Sequence, residues 1–212
     1  MAITDGLSIG CSDLQASGGI QRVFIREWNL KADGTTTAPD QIALEAGTGT
    51  ITSIADGDGS TSKWGVFESK IETPAITISG TSEKNVNTYE CNLTFMLPKM
   101  DLTKRNRIQD FQGKCLMVMA EDTNGTYFVL GVSDVLTGGD GGLDISASSH
   151  IGTRPQTFAR LASVEGGSGA AFSDENGLTV TITCTQYELP RNYVAAGVAP
   201  SIDGTGLFVT IT

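Results

Sequence analysis

The sequence holds a single histidine, which leaves little material for nucleophilic catalysis. His150 lies in a stretch rich in Ser and Gly, and any Ser/His/Asp or Cys/His system would depend on it alone. The nearest match to a GxSxG nucleophile elbow, residues 166–170, ends in Ala170 instead of Gly. A GxxxxGK phosphate loop is missing too, since Gly113-Lys114 lacks the earlier glycine. We therefore predict a protein that is not an enzyme, with no catalytic or cofactor-binding residue.

Basic clusters and long apolar runs are scarce as well. The first ten residues show no basic cluster followed by an apolar stretch, so no secretory signal is predicted. No apolar run approaches the roughly 20 residues that span a bilayer. The chain has 14 basic and 24 acidic residues, a net charge of −10, and no Lys/Arg-rich stretch to hold phosphates. We expect no membrane contact and no DNA binding through the phosphate backbone.

Cysteine is present but without the spacing of a metal site or a redox motif. The four cysteines are scattered, with no CxxC pair: Cys11, Cys91, Cys115 and Cys184. Two of them fall inside apolar strand patterns. In a protein made in the cytosol this arrangement predicts reduced core residues in preference to disulfides.

Asp-Gly turns offer carboxylates that could suit Ca²⁺. Asp56 and Asp58 lie in DGDGS, and Asp140 and Asp144 in GGDGGLD. The calcium β-roll register is not kept, because Leu143 stands where that repeat needs Asp. We therefore expect ordinary turns and assign no metal-binding residue.

The composition favours strands. Apolar residues make up 39% and charged residues 18% of the chain, and Gly numbers 26. A chain of 212 residues buries roughly 70% of the surface that its unfolded form exposes, so a hydrophobic core can form without disulfides or bound metal ions. We predict one β-rich domain over residues 1–212, a β-sandwich or barrel with one flanking helix.

Alternating polar and apolar residues mark the strands. The clearest is 89–97, where Tyr89, Cys91 and Leu93 begin an apolar row. Asn124-Gly125 predicts a hairpin turn between two strands apolar enough to be covered on both faces. The other predicted strands are 22–28, 64–79 with a break at Pro74, 114–120, 126–132, 178–187 and 207–212.

One helix is predicted over residues 102–112. Asp101 caps its first turn and Gly113 ends it in the left-handed conformation. Its apolar stripe, expected to lie on a sheet while Lys104, Arg105 and Arg107 face water, consists of Leu102, Ile108 and Phe111.

Two segments rich in Gly, Ser and Asp interrupt this pattern, at about 31–63 and 136–169. The first contains a weak hairpin, Gln41–Ala46 and Thr50–Ala55. Both are predicted to be long loop excursions.

The last third of the chain resembles a known family. An Asp-x-x-Gly turn at Asp174-Glu-Asn-Gly177 precedes the strand Leu178-Thr-Val-Thr-Ile-Thr-Cys-Thr, which ends near Glu188 and Pro190. This is similar to the closing strand of bacteriophage tail tube proteins. The resemblance implies a β-sandwich with a flank helix and long loops that reach neighbouring subunits.

The resemblance also implies a location and partners. Members form stacked rings of six subunits in the virion tail, contact other tail proteins and conduct DNA through a lumen without binding it specifically. Six copies at −10 would give a ring charge of about −60 that repels the DNA backbone. We therefore expect an acidic lumen.

Two other hypotheses about the function remain. A capsid decoration or head-fibre protein would use the same β core on a shell. A carbohydrate- or calcium-binding β module would use Trp28, Trp64 and Tyr127 as stacking faces, although a core position is favoured for these aromatics.

Overall fold

Two packed β-sheets and one helix make up the described part of the chain in a computed structural model. The residues described are 18–28, 41–44, 50–55, 64–69, 73–83, 86–132, 157–168 and 176–194. The predicted β-sandwich with one flanking helix is confirmed. The predicted strand at 207–212 and most of both predicted excursions lie outside these residues.

The elements follow one another in chain order. They are β1 (Ile20–Glu27), β2 (Gln41–Leu44), β3 (Ile51–Ala55), β4 (Gly65–Glu68), β5 (Ala75–Glu83), β6 (Val86–Pro98), α1 (Leu102–Gln109), β7 (Leu116–Asp122), β8 (Tyr127–Leu130), β9 (Arg160–Gly167), β10 (Gly177–Gln186) and β11 (Arg191–Tyr193). One sheet has seven strands in the order β2-β3-β11-β8-β7-β1-β4, and the other has four in the order β5-β6-β10-β9. All pairs are antiparallel except the short contact between β3 and β11.

The seven-stranded sheet is buried on both faces, as its continuous apolar strands predicted. On β1, Val23 and Ile25 face the four-stranded sheet, while Phe24 and Trp28 face a second apolar cluster on the opposite side. Every residue of β7 from Leu116 to Glu121 is buried. The hairpin turn between β7 and β8 is confirmed, and Gly125 adopts the left-handed conformation there with a φ of 78°.

The four-stranded sheet is buried on one face only. Core-facing residues of its two central strands, such as Leu93 and Phe95 on β6 and Val180 on β10, are 0% exposed. They pack against the seven-stranded sheet and form the main core. The opposite face is open to solvent.

Helix α1 is shorter than predicted and covers the core differently. It ends at Gln109, and a turn leads to Gly113, whose φ of 72° confirms the left-handed terminator. The Asp101 side chain accepts a hydrogen bond from the N–H of Lys104 at 2.9 Å, which confirms the cap. Of the predicted stripe, Ile108 is buried and Phe111 packs on Phe67, with ring centroids 5.6 Å apart.

Three details of the sequence predictions were wrong. Leu102 is 68% exposed, because α1 contacts the core through its later residues. Lys104 is half-buried instead of facing water, and its ammonium donates to the carbonyl oxygens of Pro98 and Lys99. Residues 160–167, predicted as part of a loop excursion, form the edge strand β9.

Candidate assembly surface

The outer face of the four-stranded sheet is a polar surface built on regular structure. Register places the following side chains on it: Thr77, Ser79, Thr81 and Glu83 from β5; Thr88, Glu90, Asn92 and Thr94 from β6; Thr179, Thr181, Thr183 and Thr185 from β10; and Arg160, Ser163 and Glu165 from β9. All fifteen are exposed or half-buried. The TVTITCT run produces this face because its threonines alternate with Val180, Ile182 and Cys184, which point to the core.

Hydrogen bonds on the outer face are weak and local. The hydroxyls of Thr94 and Thr181 lie 3.4 Å apart on neighbouring strands. The amide of Asn92 donates to the Glu90 carboxylate at 3.2 Å. The three carboxylates on this face outnumber its one guanidinium, that of Arg160.

Both edges of this sheet are long strands with no further partner strand among the described residues. β5 spans nine residues and β9 spans eight. From Ala75 to Ser82, β5 has no charge and no proline, and only Ile76 is half-buried. Natural edge strands are usually short, charged or bulged, because a bare edge pairs with other chains. β9 has a bulge at Ala162 and two charged residues, Arg160 and Glu165.

An apolar groove of about 330 Å³ runs beside β5, where the two sheets separate. Ile76 and Ile78 of β5 form one wall. Ile20 of β1 and Phe128 of β8 form the other, and Pro190 closes one side. The groove therefore continues the main core out to the surface next to the bare β5 edge.

Hydrogen bonds from two side chains join the two sheets, one from the buried Gln186 and one from the half-buried Ser69. Gln186 at the end of β10 bonds to the backbone of Gly131 and Val132 after β8. Ser69 after β4 exchanges hydrogen bonds with the backbone of Met96 on β6, at 2.9 and 3.0 Å. These bonds hold the four-stranded sheet rigidly against the other layer.

A charged cluster on the seven-stranded sheet is structural. Arg22 donates to both oxygens of Glu121, at 2.5 and 2.9 Å, and the Tyr127 hydroxyl donates to the same carboxylate at 3.0 Å. Burial and the bond to Glu121 raise the pKa of Tyr127 above its usual range. Glu121 is only 7% exposed, so this is a satisfied, buried ion pair between neighbouring strands.

The aromatic residues considered as sugar platforms lie in the second apolar cluster. Trp28 and Trp64 are 4% and 6% exposed, and the Arg26 guanidinium stacks 5.6 Å from the Trp64 ring centre. Tyr127 is half-buried against the ring of Tyr193. The favoured core position is confirmed for both tryptophans. Neither ring is exposed for stacking on a sugar, as the carbohydrate-binding hypothesis requires.

Cys91 and Cys184 face each other across β6 and β10 inside the main core. The Cys184 thiol donates to the side-chain oxygen of Gln186 at 3.2 Å. Hydrogen bonding to Cys91 and burial raise the pKa of Cys184. The predicted core position is confirmed for this pair, and Cys115 is half-buried. Cys11 lies outside the described residues.

Of the remaining sequence candidates, only Gly113-Lys114 lies within the described residues. His150, Asp56, Asp58, Asp140 and Asp144 lie outside the described residues. Gly113-Lys114 forms the turn after α1, where the Lys114 ammonium pairs with Glu27 at 2.6 Å. No chemistry can be assigned to this set.

The segment with the family resemblance forms β10 and the turn after it. Asn176 binds the backbone N–H groups of Lys99 and Met100 through its carbonyl and side-chain oxygens, at 2.8 and 3.1 Å. Glu188 forms a two-point ion pair with Arg191, at 2.8 and 2.9 Å. The motif therefore forms β10, one of the two central strands of the four-stranded sheet, with hydrogen-bonded turns before and after it.

The described residues show neither a metal-binding cluster nor a membrane-spanning helix. The described part of the chain holds no group of three or more His, Cys, Asp or Glu side chains that could bind a metal ion. No described helix is long and apolar enough to cross a membrane. None of the protein-family models, curated proteins and solved structures that were compared with this chain matches it.

Proposed function

We propose that this chain is a bacteriophage tail tube subunit, a non-enzymatic protein that assembles with copies of itself into stacked rings. One observation carries the proposal. The four-stranded sheet has a buried face, an exposed polar face and two long edges that meet no partner strand within the described residues. Such a sheet is suited to be one segment of a larger closed sheet with a polar interior.

The strand directions favour closure. β5, β6, β10 and β9 alternate in direction, so the two edges run antiparallel to each other. With an even number of strands, β9 of one copy can pair antiparallel with β5 of the next, and the pattern repeats without a break. Contacts of this heterologous kind form a ring when the rotation closes.

The size of the closed sheet leaves an open channel. Six copies, the number that the family resemblance implies, contribute 24 strands from a sheet of four. Barrels of about 16–18 strands already enclose an aqueous channel, and the diameter grows with strand number. In this arrangement the outer face of the sheet lines the lumen.

The chemistry of that face suits a conduit for DNA. Hydroxyl groups dominate it, and Glu83, Glu90 and Glu165 outnumber the single cation of Arg160. Phosphate binding needs clustered cations, and a lumen with a net negative charge repels the backbone. DNA would then pass through the lumen without binding to its wall. The proposed partners of the protein are its own copies and other tail proteins.

Negative-stain electron microscopy of concentrated protein, with size-exclusion chromatography beside it, tests the proposal. Stacked rings or hollow filaments about 100 Å wide, the scale of a few packed domains, are expected. Antibody labelling of intact virions should then mark the tail and not the head. A chain that stays monomeric at high concentration, both alone and with the other virion proteins, would contradict the proposal.

A further inference from the structure

The main core is open at the groove beside β5. Ile78 lies opposite Cys91, which is 0% exposed, so its side chain points to the core side of the sheet. It is nevertheless 45% exposed. Apolar side chains on the core side of a sandwich are normally covered by the facing sheet, but here the facing residues Ile20 and Phe128 leave the groove of about 330 Å³.

The other edge of the same sheet, strand β9, also exposes apolar side chains on the core side. Val164 of β9 lies opposite Val180, which is 0% exposed, so it also points to the core side, yet it is 39% exposed. Leu161 lies opposite Ile182 and is half-buried. The edge strand β9 therefore presents aliphatic side chains on the same side of the sheet as the groove beside β5.

We propose that the groove beside β5 is filled by Leu161 and Val164 from β9 of a second copy of this chain. The proposal rests on the proposed function and adds which side chains bury the contact. When β9 of one copy pairs with β5 of the next, the two strands join into one sheet. The core-facing side chains of β9 then lie beside those of β5 on the same side of that sheet. Leu161 and Val164 then lie over Ile76 and Ile78, so that one apolar core continues from subunit to subunit.

A head-to-tail contact, in which β9 of one copy meets β5 of the next, fits this groove better than a symmetric pair of β5 strands. In a twofold pair of β5 strands, two grooves would meet and Val164 would stay exposed on both copies. The heterologous pair covers Ile78 and Val164 at once. It also pairs the edge of β5, which carries no charge from Ala75 to Ser82 and would otherwise stay open to other chains.

Photo-cross-linking in the assembled protein tests the contact directly. A benzophenone side chain is placed at position 164 in unlabelled protein, which is mixed with ¹⁵N-labelled protein before assembly. Cross-links are expected between position 164 and labelled peptides that contain Ile20, Ile76 or Phe128. Cross-links to β9 peptides of the labelled copy, or to peptides away from the groove, would overturn the proposal.

Substitutions measure how much the contact contributes. Ile78→Asp and Val164→Asp are each expected to raise the concentration needed for assembly about tenfold or more, because each places a charge in a buried apolar contact. Leu102→Asp is the matched control, since Leu102 is 68% exposed and lies on α1, away from both edges. It should shift that concentration by less than about twofold.

The outcomes separate the two proposals. Both edge residues are already exposed, so the monomers should keep the wild-type melting temperature and circular dichroism. If the wild-type protein forms rings and Val164→Asp and Ile78→Asp assemble as well as it does, the groove contact is wrong while the tail tube function stands. If the wild-type protein forms no rings, both are wrong.

Discussion

The side-chain oxygen of Gln186 accepts a hydrogen bond from the backbone N–H of Gly131 at 3.1 Å, which ties the four-stranded sheet to the seven-stranded one. The amide of Gln186 also donates to the carbonyl oxygen of Val132 at 2.8 Å, and the residue is 0% exposed. We expect Gln186→Leu to lower the free energy of unfolding by about 2–4 kcal/mol, because two buried backbone groups lose their partners.

Urea denaturation followed by tryptophan fluorescence measures this loss. Thr185→Leu is the control, since Thr185 is the exposed neighbour on the same strand and should change stability by less than about 0.5 kcal/mol. Equal losses in the two variants would show that Gln186 does not couple the sheets.

Gly131 should tolerate no side chain. Its φ is 87°, and a Cβ would lie 2.8 Å from both the backbone nitrogen of Ala159 and the carbonyl oxygen of Leu116. Gly113→Ala is the matched control, because Gly113 has a φ of 72° and no atom within 4 Å of the same position. We expect Gly113→Ala to cost about 1–2 kcal/mol for the left-handed backbone alone.

Gly131→Ala should cost clearly more than Gly113→Ala, since the backbone bridge between Leu116 and Ala159 must also shift. Thermal melts of the two variants measure the difference. If they melt together, close packing at Gly131 contributes nothing beyond backbone conformation.

The ion pair of Arg22 and Glu121 should stabilise the fold more than a surface pair does. Glu121→Gln removes a carboxylate that is 7% exposed and binds both Arg22 and Tyr127. Arg22 keeps partial access to water, so we expect a loss of about 1–3 kcal/mol, below the cost of breaking a fully buried pair. Glu27→Gln breaks the exposed pair with Lys114 and should cost less than about 1 kcal/mol.

Chemical denaturation at two salt concentrations compares these pairs. The effect of Glu27→Gln should shrink in high salt, while that of Glu121→Gln should persist because burial limits screening. Similar losses with similar salt dependence would show that Glu121 behaves as a surface residue.

Sequence patterns predicted the strands whose signal is local. The alternation around Cys91 and Leu93 marks β6 because one face is buried and the other exposed. The continuous apolar residues of β7 predicted its burial on both faces. The contact of Arg22 with Glu121 could not be predicted, since it joins residues 99 positions apart through a strand register that one sequence does not reveal.

The edge strand β9 was missed for a physical reason. Its core-facing residues Leu161 and Val164 are three positions apart instead of two, because the bulge at Ala162 inserts an unpaired residue. Gly166 and Gly167 add to the appearance of a loop. A Cβ at Gly166 would lie 2.4 Å from the carbonyl oxygen of Gly177, so close strand contact requires the glycine there. The half of the assembly surface formed by β9 was therefore not evident from periodicity.

The hairpin turn at Asp122 should make part of the stability depend on pH. Although burial opposes the effect, hydrogen bonds from Asn124 and Thr123 lower the pKa of Asp122 below its ordinary value of 3.8. Its contribution is therefore fully present above that value and is lost as pH falls through the lower pKa of the folded state. We expect Asp122→Ala to be less stable than wild type by up to about 1 kcal/mol at pH 7, since the site is partly exposed. In urea titrations this gap should narrow as the pH falls below 3.8, and a gap that stays constant from neutral to acidic pH would contradict the prediction.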